Sequence, residues 1–162
     1  MIVVSDSSPL IALCDLGKLD LLRLLYGQVV LPDAVWRETA IMGQDKPERK
    51  ELLEASWIEC VKVRNQVLAK SLAQKLDVGE SEAIVLALEL NADLLLMDER
   101  LGRNVASRFG IDVTGVVGIL LVSKSQGYLP AIKPELDRLR NELDFWLSES
   151  LYRRALSLAE EL

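Results

Sequence analysis

Asp6, Glu38, Glu80 and Asp98 are the residues of this chain whose placement asks for chemistry. Asp6 follows Ile2-Val3-Val4-Ser5 and Asp98 follows Leu94-Leu95-Leu96-Met97. Each carboxylate thus stands just past a short apolar run that reads as a buried parallel strand, and the rim beyond such strand ends is where open α/β sheets bind ligands. Glu38 lies three or four residues from Ala34, Val35, Ile41 and Met42, so on a helix it shares a face with apolar neighbours and points inward. Glu80 shares a helical face with Ala83, Ile84 and Ala87. Glu82 falls on the stripe of Glu89 and reads as a group behind the ligands or a ligand to a second metal. Carboxylates are rarely buried unless paired or coordinated, and four gathered together repel and raise one another's pKa values unless a cation holds them. Oxygen ligands without His or Cys point to a hard ion, Mg²⁺ or Mn²⁺.

Each acid also has a structural reading. Asp77-Val78-Gly79-Glu80 has the form of a capping box, Asp98 could cap a helix beginning at Glu99, and Glu38 could be a solvated acid paired with Arg37 or Lys46. Asp6 is not needed as a cap, because Ser8-Pro9 supplies an N-cap followed by proline at the first helical position. One cluster accounts for the strand-end Asp and inward-facing Glu residues more economically than four separate structural roles. Arg100 and Arg103, just after Asp98, read as surface cations or, beside a metal, as a fork for a substrate phosphate. The glycines from Gly110 to Gly118 fit no nucleotide-binding fingerprint and read as a strand-to-helix turn. Trp36, Trp57 and Trp146 have no regular spacing that would make a base-stacking platform.

The elements that must position these residues follow from the hydrophobic pattern. Strands are expected at Ile2–Ser5, near Val29–Leu31, at Trp57–Val63 and at Asp93–Met97. Helices are expected through Leu10 to Leu13, from Leu19 to about Leu25, after Pro32, from Gln66 to Leu76 and from Gly79 to Leu90. Strand and helix alternate, which implies a three-layer α/β/α arrangement with a mostly parallel central sheet. After Gly127, two amphipathic stretches read as a C-terminal helical extension. The expected division is a domain over 1–126 and an extension over 127–162, packed on that domain or on a partner.

The 162 residues, half of them apolar, suffice for a sizeable core. The absence of histidine removes the usual base of Ser and Cys triads and the commonest zinc ligand. The net charge of −6 argues against a broad nucleic-acid-binding surface, but the rest of the chain is only weakly acidic once the four candidate ligands are set aside. Cys14 and Cys60 lack metal-ligand spacing and read as free thiols. No membrane-spanning run or signal segment is apparent, so a cytoplasmic protein is expected.

Taken together, Ile2-Val3-Val4-Ser5-Asp6-Ser7-Ser8-Pro9-Leu10-Ile11, the Pro32 to Glu38 helix, Gly79-Glu80-Ser81-Glu82-Ala83-Ile84 and Leu94-Leu95-Leu96-Met97-Asp98-Glu99-Arg100 resemble a PIN domain. Within that family the chain is similar to the prokaryotic VapC toxins, from the first strand to about Ser125 and again in the tail. The resemblance implies a Mg²⁺- or Mn²⁺-dependent endoribonuclease whose catalytic and metal-binding acids are Asp6, Glu38, Glu80 and Asp98. Ser7, the hydroxyl residue common after the first acid, is expected on the substrate side with Arg100 and Arg103. Glu80 stands where many VapC toxins carry Asp, and Met97 where many carry Thr. The implied partners are an RNA such as tRNA or rRNA, a small cognate antitoxin, and a second copy in a homodimer. The competing expectation is a binding or assembly module of the same fold with a degenerate metal site.

Overall fold

The computed structural model describes residues 1–162. Val3–Ser5 form strand β1, buried along its whole length. Its neighbours are β2 (Val29–Pro32), β3 (Ile58–Val61), β4 (Leu94–Leu96) and β5 (Val113–Thr114) in the order β3-β2-β1-β4-β5, every pairing parallel. Ser5 is in register with Leu96, so the residues just after β1 and β4 leave the sheet side by side at the same edge.

The first helices are α1 (Ser7–Asp15), α2 (Asp20–Tyr26), α3 (Asp33–Trp36), which continues as a π-helical turn over Arg37–Ile41, and α4 (Lys50–Glu54), which follows a 3-10 turn at Pro47–Arg49. Then come α5 (Gln66–Leu72), α6 (Val78–Glu89), α7 (Arg100–Arg108), α8 (Val116–Ser125), α9 (Lys133–Asn141) and α10 (Glu149–Leu158). Successive strand residues point to opposite faces of the sheet. Val3, Val29, Leu31 and Leu96 join the core under α1, α2, α8, α9 and α10, whereas Val4, Val30, Leu95 and Met97 join the core under α5, α6 and α7. The result is a three-layer α/β/α fold.

The structure shifts several boundaries. The first helix begins at Ser7, one residue before the expected cap, so Asp6 takes the N-cap position and Ser8 is an exposed residue of the first turn. Pro32 ends β2 and precedes α3 with an extended backbone. The 57–63 strand shortens to β3 at the sheet edge, only partly buried, because nothing pairs with it on its outer side. Of the glycines from Gly110 to Gly118, only Gly115 lies in the turn from β5 into α8, Gly110 preceding β5 and Gly118 lying within α8.

The tail lies on the larger core, contributing Leu129, Ile132, Leu136, Leu139, Leu147 and Leu156. Polar contacts fasten it. Arg138 donates to Leu16 O at the end of α1 at 2.9 Å. The Glu161 carboxylate accepts from Ile132 N at 2.8 Å and from Lys133 N at 3.0 Å, where the orphan N–H groups of α9 need partners. Both cysteines are free, Cys14 buried and Cys60 exposed. No helix is long and apolar enough to cross a membrane.

Candidate metal centre

Parallel pairing fixes Asp6, since its backbone N–H continues the ladder to Leu96 O at 2.8 Å. Although Asp6 occupies the N-cap position of α1, its side chain makes no capping bond. The carboxylate is buried, with 3 % of the residue exposed. Burial, opposed by the Ser7 backbone N–H and reinforced by Asp77, Glu80 and Glu38, pushes its pKa up to about 8. Every charged group that acts on Asp6 is negative.

Glu38 reaches this acid from the π-helical turn, which is closed by Met42 N donating to Arg37 O at 2.9 Å. The Ser7 hydroxyl donates to Glu38 Oε2 at 2.7 Å. Ser7, expected on the substrate side, is itself buried and turned toward Glu38, in a helix that begins two residues before the Pro9 start expected. The Glu38 carboxylate lies over Gly79, where a Cβ would stand 2.7 Å from Oε1, so only glycine leaves room for it.

Glu80 answers to both of its sequence readings. The capping box is formed, with Glu80 N donating to Asp77 Oδ1 at 2.7 Å and Asp77 N donating to Glu80 Oε1 at 3.0 Å. Glu80 is nevertheless buried, 6 % exposed, and burial raises its pKa. The cap holds Oε1, leaving Oε2 on the side of the carboxylate that faces Gly102. Glu82 Oε1 accepts from Ala34 N at 3.1 Å, closing an orphan N–H at the start of α3.

Asp98 does not cap the helix that follows it, since Glu99 holds that N-cap position. Its Oδ1 accepts from Val116 N at 2.9 Å, at the start of α8. Its Oδ2 is buried without any hydrogen-bond partner. Gly115 packs directly against this carboxylate and Arg103, and a Cβ there would overlap Asp98 Oδ1. Burial raises the Asp98 pKa, the Arg103 guanidinium lowers it, and Glu99 raises it again. Arg103 also reaches Met97 O at 3.5 Å, and exposed Arg100 lines the same opening.

Asp6, Glu38 and Glu80 are therefore brought together around the end of β1, with Asp98 at the end of the adjacent strand. Sequence reasoning missed two acids here. Asp77 acts on both Asp6 and Glu80, while Glu99 acts on both Glu80 and Asp98 and so links the two parts of the cluster. The signals were their adjacency to Val78-Gly79-Glu80 and to Asp98, which had suggested capping alone. No group of three acids is drawn into a single coordination shell. The donor chemistry nonetheless fits a hard divalent cation. The set is oxygen-only, Asp6 and Glu80 are buried, Glu38 and Glu80 both repel Asp6, and Asp98 Oδ2 is an orphan acceptor of the kind a cation satisfies.

Comparison with known proteins bears on these geometric findings. A family model described as a PIN domain matches residues 2–161. No curated protein matches the chain.

Proposed function

The chain belongs to the PIN-domain family, whose members are generally nucleases, and from that premise we propose that it is a Mg²⁺- or Mn²⁺-dependent endoribonuclease. The observation that carries the reading is buried Asp6, surrounded by Glu38, Glu80 and Asp77 with no cationic side chain acting on it. Burying that much like charge costs several kcal/mol unless it is neutralised by protons or metal. Asp6, Glu38, Glu80 and Asp98 are the proposed ligands.

Bound there, a divalent ion would supply Lewis acidity at a phosphodiester oxygen and lower the pKa of a water. The chain's own residues prepare the site. Ser7 holds one Glu38 oxygen, the Asp77 N–H holds one Glu80 oxygen and the Val116 N–H holds one Asp98 oxygen. Each bond fixes a carboxylate while leaving its second oxygen for a ligand role, and preorganisation of this kind is where catalytic electrostatics gains most. Arg100 and Arg103 beside Asp98 supply positive charge for the scissile phosphate. Glu82 supports the cluster through the start of α3.

In the same proposal the chain is the toxin of a toxin–antitoxin pair, acting as a homodimer on an RNA such as tRNA or rRNA until a small antitoxin blocks the acidic opening. The second reading, a binding module with a degenerate centre, is favoured by the lack of a ready three-acid shell. Cleavage of purified total RNA separates the two. Partner-free protein should cut in Mn²⁺ or Mg²⁺ and not in EDTA, and Asp6→Asn or Asp98→Asn should reduce the rate at least about 100-fold while the chain stays folded. Full activity in both variants would remove the acids from the mechanism.

A further inference from the structure

A groove of about 540 Å³ between α7, α8 and the C-terminal extension reaches Asp98, one of the four proposed ligands. Its acids are Asp98 and Glu99, and it is also lined by Arg100, Arg103 and, from α10, Arg154. None of these three guanidinium groups is in an ion pair, although the chain is acidic overall and the flanking Arg153 and Arg140 are both tied to Glu149. Unpaired arginines gathered around one groove suit an anion with several charges in a row.

Trp146 lies in the same groove, in the loop between α9 and α10, and is 84 % exposed, more than any other large apolar residue of the chain. Phe145 beside it is half-buried and packs on the larger core, anchoring the loop. An indole face left in water beside unpaired guanidinium groups costs hydrophobic free energy that a stacked base would recover. Alternating phosphate and unpaired base is the pattern that such a surface complements.

We propose that the C-terminal extension forms the second wall of the substrate groove, with an unpaired base of the RNA stacked on Trp146 and the adjoining backbone held by Arg154. This assignment rests on the nuclease reading and adds to it two positioning residues, neither of them among the acids. A duplex would keep its bases stacked on one another and leave Trp146 unused.

The test is binding of a fluorescent, unstructured RNA 12-mer to the Asp6→Asn chain in Mg²⁺, followed by anisotropy, with gels to verify that the RNA stays intact. Trp146→Ala should weaken binding about 5- to 100-fold, and Trp146→Phe should recover most of the loss. Arg154→Gln should weaken binding and reduce the slope of log K against log salt by about 0.7. The same RNA annealed to its complement should bind more weakly than the single strand. Both positions are exposed, so the variants should unfold at the parent's temperature. Parent-like binding by both Trp146→Ala and Arg154→Gln would overturn the proposal, as would equal binding of duplex and single strand. A change only in sedimentation behaviour would also overturn it, assigning the groove to a second copy. Failure of the nuclease reading shows elsewhere, as intact RNA with the wild-type chain in Mn²⁺ whatever the binding result.

Discussion

Asp6 holds its proton in the metal-free folded chain to about pH 8, whereas the unfolded chain releases it near the ordinary value of 3.8. Between those values the folded state binds more protons than the unfolded state, so stability falls as pH rises across this window. Burial of Glu80 and Asp98 acts in the same direction. Thermal unfolding of the metal-free protein should therefore move to lower temperature between pH 5 and 8, and Asp6→Asn should flatten that slope. A pH-independent midpoint over this range would show that Asp6 is ionised in the folded chain. Residue types alone pointed to Asp6, Glu38, Glu80 and Asp98 as candidates. Their hydrogen-bond partners were not legible, because Ser7 meets Glu38 across 31 positions and Val116 meets Asp98 across 18. Such contacts depend on how helices cross, which no local pattern records.

The buried strands and the capping box at Asp77 were legible because apolar runs and the Asp-x-x-Glu spacing are local signals. The π-helical turn that presents Glu38 was not, since the helix ends too soon after it to record the shift in phase, and Ile41 and Met42, expected on the inward face with Glu38, are exposed. The approach of Glu38 to Gly79 joins that turn to the start of α6. Gly79→Ala tests the junction. Alanine improves helix propensity by up to about 1 kcal/mol, but its Cβ must displace the Glu38 carboxylate. We expect thermal stability to change by no more than a few degrees and RNA cleavage to fall about 10- to 100-fold, through kcat rather than KM. Unchanged cleavage would mean that the position of Glu38 does not matter to the reaction.

Across the whole molecule, the C-terminal extension packs into the core it covers. Leu136, Leu139 and Leu156 sit in the same cluster as Leu10 and Leu31, and Arg138 bonds the end of α1. A 1–126 fragment would expose that face and leave α1 without this partner, so it should show no cooperative unfolding transition by circular dichroism. A sharp transition in the fragment would make the extension a separate unit. Its amphipathic helices were legible in sequence, but the return of Trp146 and Arg154 to the groove beside Asp98 was not, because only the tertiary path brings the tail back to the β4 edge. Whether the acids hold a metal is read from calorimetric titration of the purified chain with Mn²⁺ at pH 7. Binding is expected in the millimolar range or tighter, with a proton released to buffer as Asp6 ionises, and both signals should be lost in a folded Asp6→Asn variant. No heat of binding by the wild type, or equal binding by Asp6→Asn, would contradict a metal held by these acids.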